Sequence, residues 1–273
     1  VTGYDLTSLF TGSEGTLGII TRALFRLIPM PKRRGTLQVM FRTLDDGCRT
    51  IHTVLQSGMV PAAAEIMDRT CLEVVARHRK TELDPEAGAC IIIEIDGDDD
   101  AALETQTKRI EAAAKACGAV AFRAARSEQE AEELWAVRRG LSSAVAALAP
   151  NRIGEDISVP RDAFPEVVRR IREISEKHGL PIAVYGHAGD GNIHPSILCD
   201  LGKPGEEERV HHAVDDIFAA ALAVGGTLSG EHGIGITKRP YIASALGDVG
   251  VRTLKAVKAA LDPKGILNPG KIW

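Results

Sequence analysis

Two histidines enclose a short glycine-rich run that has the composition of a tight turn. His187 and His194 flank the run from Ala188 to Ile193. If Asp190-Gly191 is the centre of a two-residue hairpin, the two histidines lie directly opposite each other on paired strands and share one face of the sheet. Opposed residues have Cβ atoms roughly 5 Å apart. The spacing predicts a metal-binding pair, and a polar pair in a crowded sheet is the alternative.

A carboxylate and a third histidine follow in a second glycine-dense segment. Glu231 and His232 lie within residues 225–235, which contain five glycines. Two imidazoles and one carboxylate leave a position open on a metal ion, so a substrate oxygen can bind there and become more acidic. We predict Glu231 as the third ligand. We predict His232 as a general base, because an imidazole can accept a proton near neutral pH.

Two adjacent arginines are candidates for binding an anionic substrate. Arg138 and Arg139 lie on a predicted helix that begins near Glu128. A guanidinium that reaches inward can hold a carboxylate through two parallel hydrogen bonds. Solvated positions on the outer face of the helix are the alternative, which is favoured for Arg139.

Three glycines near the start of the chain allow a tight loop. Gly12, Gly15 and Gly18 let the backbone turn sharply and approach a ligand closely. Their spacing differs from the dinucleotide-binding fingerprint. On spacing alone, a structural turn is favoured over a binding loop.

Hydrophobic periodicity and turn residues predict alternating strands and helices. The predicted strands are 19–28, 36–41, 62–67, 89–95, 119–124, 153–159, 182–187 and 192–198. The predicted helices are 44–57, 69–79, 101–117, 128–148, 162–178, 206–224, 239–246 and 249–261. Such alternation usually indicates a parallel sheet. The hairpin and the paired strand-helix-strand units instead predict an α+β fold of ferredoxin-like type, with an antiparallel sheet covered by helices.

Composition excludes several classes of protein. The 273 residues carry a net charge of -4, which gives no basic surface for nucleic acid. The longest apolar runs fall short of the roughly 20 residues that span a bilayer. Five widely spaced cysteines without a Cys-x-x-Cys pair favour a reduced compartment. We therefore expect a cytoplasmic protein, and peripheral contact with a membrane is compatible with the sequence.

Four motifs, in order, resemble those of one family. Residues 3–21 look like the last part of the flavin-binding domain of FAD-linked oxidases of the vanillyl-alcohol oxidase type. Residues 185–194, 229–233 and 261–271 resemble the C-terminal half of the D-2-hydroxy acid dehydrogenases of that family. That group includes the glycolate oxidase flavin subunit and D-lactate dehydrogenase. The resemblance spans the whole chain.

The resemblance implies oxidation of a D-2-hydroxy acid to the 2-keto acid, with hydride transfer to FAD. It implies that His187, His194 and Glu231 bind a divalent metal, zinc or manganese. It also implies that His232 takes the hydroxyl proton and that Arg138 holds the substrate carboxylate. The residues that match flavin-binding positions are Gly12, Ser13, Glu14, Gly15, Gly18, Ile19 and, in the tail, Asn268.

Two departures from the D-2-hydroxyglutarate enzymes narrow the expected substrate. Those enzymes have an asparagine where this chain has Ser196, and their lysine has no match in residues 154–158. Both departures disfavour a substrate with a second carboxylate. A small acid of the D-lactate or glycolate type is therefore expected.

The resemblance also predicts the domain organisation. Residues 1–33 match an incomplete end of the FAD-binding domain, 34–262 the substrate-binding cap domain, and 263–273 a tail that returns to the flavin domain. We expect a fragment that by itself holds FAD weakly or not at all and is inactive. The electron acceptor stays open between a quinone, an iron-sulfur subunit and a flavoprotein, and a homodimer is compatible.

Two other classes of function use the same residues. A metal-dependent hydrolase could use the two histidines and the glutamate, and would hydrolyse an ester or amide after metal loading. A metal-free binding domain would contain no metal and would tolerate loss of both histidines. Neither alternative requires the glycines at 12–18 or the tail at Asn268.

Overall fold

A computed structural model of the chain describes residues 2–80 and 82–273, which form two compact units. The larger unit is Met30–Gly226, and the smaller unit joins residues 2–29 with Thr227–Trp273. The strands of the larger unit are β1 (Arg33–Phe41), β2 (Ala63–Asp68), β3 (Ala89–Gly97), β4 (Ala119–Ala124), β5 (Asn151–Gly154), β6 (Ile157–Ser158), β7 (Ile182–His187) and β8 (Asn192–Cys199). The helices of both units are α1 (Leu6–Phe10), α2 (Leu44–Gln56), α3 (Arg69–Arg79), α4 (Asp100–Ala116), α5 (Glu128–Ala146), α6 (Phe164–His178), α7 (Glu206–Ala223) and α8 (Ile242–Leu261). The predicted division at residues 33 and 262 stays a prediction.

The strands of the larger unit form one antiparallel sheet. Their order is β4-β1-β3-β2-β7-β8-β5, with β6 also paired to β8. The first four strands and helices α2 and α4 follow the β-α-β-β-α-β pattern of a ferredoxin-like unit. The prediction of an antiparallel α+β fold is confirmed.

Helices cover both faces of the sheet, so its central strands bury apolar residues on both sides. In β3, Ile91 and Ile92 point to opposite faces and both are fully buried. Ile91 lies against α2, where an added Cβ on Gly47 would be 3.3 Å from the Ile91 side chain. Ile92 belongs to the core cluster that includes Leu141 of α5. Burying a side chain of this size stabilises the fold by about 1.5 to 3 kcal/mol.

The smaller unit contains α1, α8 and a short 3₁₀ helix at Arg239–Tyr241. The predicted strand at 19–28 is wrong, because the structure has no strand in these residues. Leu24 and Leu27 are largely exposed. A β-strand depends on hydrogen bonds to a neighbouring strand, and none of the described strands pairs with this segment. No helix of the described residues has the length and apolar character needed to cross a membrane.

The carboxylate of Asp68 joins α3 to the sheet. It accepts hydrogen bonds from the backbone N–H of Cys71 at 2.9 Å and of Val184 at 2.8 Å. Burial raises the pKa of Asp68 to about 6, and the hydrogen bonds oppose that shift. The folded chain therefore holds this proton more tightly than the unfolded chain does.

We predict that Asp68 makes stability depend on pH. Its protonation stabilises the fold below about pH 4, and this contribution is lost as the pH rises to about 6. The free energy of unfolding of the natural chain should fall by about 1 to 3 kcal/mol more than that of Asp68→Asn over this range. Urea titrations at pH 4, 5, 6 and 7 measure the difference. Parallel pH profiles for the two proteins would contradict the prediction.

Candidate active site

The two histidines lie at the hairpin between β7 and β8, but their register differs from the predicted one. His187 pairs with Asn192, and His194 pairs with Tyr185. The predicted direct opposition of the two histidines is wrong. The shift is two residues, so both side chains still share one face of the sheet. Their ring centroids are 5.2 Å apart, with the ring planes nearly perpendicular.

The register follows from the length of the turn. The connection spans four residues, 188–191, because the carbonyl of His187 accepts hydrogen bonds from the N–H groups of Asp190 and Gly191. Gly191 has a φ of 87°, and a Cβ there would lie 2.1 Å from the carbonyl oxygen of Val159. A glycine is therefore required at the end of this turn.

A buried glutamate that the sequence analysis did not identify holds His187. Glu65 lies opposite His187 in the pairing of β2 with β7. Its Oε1 forms a hydrogen bond with Nδ1 of His187. The signal in the sequence was a carboxylate between two apolar residues, Ala64 and Ile66, in the middle of β2. A charged residue at a core-facing position needs a partner, and His187 is one of its two partners.

The second partner of Glu65 is Arg138. Helix α5 brings its guanidinium to the sheet, where Nε donates to Oε2 of Glu65 at 2.6 Å. The two side chains are 14% and 8% exposed, so the ion pair lies in the interior. The guanidinium carbon of Arg138 also lies 5.1 Å from the centre of the Tyr185 ring, a cation–π distance. Arg139, by contrast, pairs with Glu132 at the surface, as expected.

His194 faces a second buried carboxylate. Its Nδ1 lies 3.7 Å from Oδ1 of Asp156, which is fully buried. The ring of Tyr185 lies 5.7 Å from that of His194. Ser196 in turn donates to the hydroxyl of Tyr185 at 3.4 Å. Asp156 and Tyr185 are thus further members of the site that the sequence analysis did not identify.

Opposing effects set the charge of Glu65. Burial is the largest of them and by itself raises the pKa of the carboxyl group. The hydrogen bond with His187 and the positive charge of Arg138 outweigh burial, so the pKa of Glu65 is lowered overall. The carboxylate is therefore ionised at neutral pH.

Both histidines have the chemistry of metal ligands. Each can offer one ring nitrogen, and these two atoms lie within 4.8 Å of each other. The hydrogen bond between Nδ1 of His187 and Glu65 is the arrangement that orients a metal-binding imidazole and leaves Nε2 for an ion. Nδ1 of His194 lies near the Asp156 carboxylate, at 3.7 Å. The donor set of the larger unit therefore fits a divalent metal.

The other predicted site residues lie in the smaller unit. Glu231 and His232 have side chains that are about half exposed, 52% and 56%, with Nε2 of the histidine 3.9 Å from Oε1 of the glutamate. Asn268 is brought to the glycine loop, where its side-chain amide donates to the backbone oxygen of Glu14 at 2.5 Å. The loop and the tail thus meet within this unit.

Glu14 anchors the segment that carries Glu231 and His232. Its carboxylate accepts hydrogen bonds from the backbone N–H of Ile234 at 2.6 Å and of Gly235 at 2.8 Å. The side chain of this predicted flavin-binding residue therefore holds a loop in place. The predicted roles of Gly12, Ser13, Gly15, Gly18 and Ile19 stay predictions.

We predict that Glu14→Ala loosens this segment without unfolding the sheet. Loss of the carboxylate leaves the two amide groups without their acceptor, which costs about 1 to 3 kcal/mol. Hydrogen exchange at Ile234 and Gly235 should accelerate by about tenfold or more. The amide of Ile193 in β8 serves as the internal reference and should be unchanged. Equal protection at both loop amides would show that Glu14 does not hold them.

Comparison with known proteins gives one consistent match. A family model described as FAD linked oxidases, C-terminal domain, matches residues 30–272. The chain is 41% identical over 273 residues to the glycolate oxidase subunit GlcD of Bacillus subtilis (strain 168), covering 100% of the chain and 58% of that protein. It is 32% identical over 277 residues to the D-lactate dehydrogenase of Anaerostipes hadrus, covering 99% and 58%. The chain thus spans somewhat over half the length of these relatives.

Solved structures share the fold. The chain superposes on 4-ethylphenol oxidase from Gulosibacter chungangensis with a TM-score of 0.74 and 23% identity, covering 100% of this chain and 60% of that one. The values for p-cresol methylhydroxylase are 0.75 and 17%, covering 99% and 58%. At these identities the likeness concerns the fold alone.

Proposed function

Because the chain belongs to the family of FAD linked oxidases, C-terminal domain, we propose that it is the substrate-side part of a flavoprotein that oxidises a small D-2-hydroxy acid to the 2-keto acid. The match to this family model confirms the family resemblance seen in the sequence. The observation that carries the proposal is the buried linkage of Arg138, Glu65 and His187, which joins an anion-binding group to a candidate metal ligand. Relatives named for glycolate and D-lactate support an acid of that size.

Arg138 is the proposed binding group for the substrate carboxylate. Within the described residues 2–80 and 82–273, Arg138 donates its hydrogen bond to Glu65 through Nε. The two terminal amino groups can therefore bind a planar anion.

His232 is the proposed base for the substrate hydroxyl. An imidazole that accepts this proton raises the electron density at the substrate oxygen as the hydride leaves Cα. When bound, FAD supplies the hydride acceptor. Gly12 has a φ of 77°, which a glycine adopts readily, so this turn of the proposed flavin-facing loop favours glycine. Asn268 fixes the same loop from the tail.

A divalent metal, zinc or manganese, is proposed at His187 and His194, with Glu231 as the third ligand by family resemblance. Glu65 orients the imidazole of His187 through a hydrogen bond, and Asp156 lies 3.7 Å from the imidazole of His194. A metal held there would supply a Lewis acid that lowers the pKa of a substrate hydroxyl. The electron acceptor, a cytoplasmic location and a homodimer remain predictions.

We predict that the histidine pair is required for metal binding by the 273-residue chain. His187→Ala and His194→Ala should each weaken binding of Zn²⁺ or Mn²⁺ by about 100-fold or more, since each removes one of very few ligands. Calorimetric titration of the apo chain measures the affinity. His211→Ala, which changes an exposed histidine of α7, is the matched control and should bind like the natural chain. Equal affinity in all four proteins would exclude a metal at this pair.

We predict that the complete protein, loaded with FAD, oxidises D-lactate or glycolate with an artificial electron acceptor. Arg138→Gln should lower kcat/KM by about 100-fold or more, because it removes the charge that binds the carboxylate. Arg139→Gln changes the neighbouring exposed arginine and should retain the natural rate. Stopped assays over a panel of D- and L-2-hydroxy acids measure both.

The outcome of that panel separates the proposed classes of function. Failure on every D-acid would overturn the oxidase proposal. Hydrolysis of an ester or amide by the metal-loaded chain would favour the hydrolase instead. Family membership disfavours that alternative.

A further inference from the structure

We propose that Glu65 is a positioning residue that ties the substrate-binding arginine and a metal-binding histidine to one buried carboxylate. This inference rests on the proposed function, because it takes the role of Arg138 from it. Glu65 acts through these two groups, because its side chain is buried and both of its oxygens have protein partners. Its two oxygens are divided between two functional groups, Oε2 to Arg138 and Oε1 to His187.

The first step of the argument is placement. Glu65 lies on β2, directly opposite His187 on the neighbouring strand β7, so the two side chains leave the sheet side by side. Arg138 comes from α5, which packs on the same face through Leu141. A strand, a second strand and a helix therefore meet at this carboxylate.

The second step is the orientation of His187. A carboxylate is only an acceptor, so its hydrogen bond with Nδ1 requires the ring hydrogen at Nδ1 in the neutral imidazole. The lone pair then lies on Nε2. Glu65 thus selects the tautomer that can bind a metal through Nε2.

The third step is the orientation of Arg138. The hydrogen bond through Nε fixes the plane of the guanidinium, and the ring of Tyr185 supports it at 5.1 Å. Recognition of a carboxylate depends on that plane, because the two hydrogen bonds must be parallel. A single carboxylate therefore sets the geometry of both groups.

Glutamine at this position distinguishes the effect of Glu65 on His187 from its effect on Arg138. In Glu65→Gln, the amide oxygen can still accept from Nε of Arg138. The amide N–H₂ then faces Nδ1 of His187, which favours the tautomer with its hydrogen on Nε2. We expect affinity for Zn²⁺ or Mn²⁺ to fall by about 10- to 100-fold, while KM for the D-2-hydroxy acid rises by less than about threefold. A structural ion pair alone would not produce this difference.

Glu65→Ala removes both hydrogen bonds, the one with His187 and the one with Arg138. Metal affinity should fall by at least as much, and KM should now rise by about tenfold or more. Glu65→Asp keeps the charge with a shorter reach and should give intermediate losses, which keeps the test informative if the alanine variant does not fold. Glu73→Gln, at an exposed glutamate of α3 paired with Arg69, is the matched control and should behave like the natural chain.

The measurements are calorimetric titration with Zn²⁺ and Mn²⁺ on the 273-residue chain, ¹⁵N chemical shifts of the His187 ring, and steady-state kinetics on the FAD-loaded complete protein. Metal affinity unchanged in Glu65→Gln, or a natural His187 with its hydrogen on Nε2, would overturn the inference. A natural chain that binds neither ion would also overturn it, and oxidation of D-lactate would then leave the proposed function in place. If instead no D-acid is oxidised while Glu65→Gln still loses metal affinity, the proposed function fails and the positioning of His187 stands.

Discussion

The antiparallel pairing of β7 with β2 on one side and β8 on the other is the constraint on which the site depends. This pairing sets Glu65 beside His187 and Tyr185 beside His194, all on the face covered by α3 and α5. Side chains alternate between faces along a strand, so a slip of one residue would carry both histidines to the opposite face. The chemistry of the site therefore depends on backbone hydrogen bonds.

Charge neutralisation is the second constraint, because the site lies in the interior. Glu65 and Asp156 are buried carboxylates, and burying an unpaired charge is costly. Glu65 is matched by Arg138 and by His187, while Asp156 faces His194. The groups that orient the histidines are therefore also the groups that make this polar cluster compatible with a core.

Most of the fold was predictable from local pattern. The strands around residues 36, 89, 119, 182 and 192 were found within a few residues of their bounds, because alternating apolar residues flanked by glycines are local signals. The strand predicted at 19–28 has the same local pattern but no neighbouring strand among those described. The pattern indicates strand-forming capacity, whereas pairing depends on what lies beside it.

The site shows the same division. Side-chain type and the glycine-rich turn made His187 and His194 candidates, and the family resemblance added Arg138. The register was misjudged by two residues, since the hydrogen bonds of His187 close a four-residue turn that Asp190-Gly191 alone does not specify. Glu65 was missed because its partners lie 73 and 122 residues away along the chain.

The sequence by itself determined the types of functional group, the antiparallel α+β class and the family, because these depend on composition, periodicity and motif order. Only the tertiary structure decided which carboxylate faces which imidazole and which acidic group pairs with Arg138. The physical reason is that these choices depend on contacts between strands and helices distant in sequence. The local sequence pattern is compatible with several side-chain pairings. The burial of Glu65 and its ion pair with Arg138 select one of them.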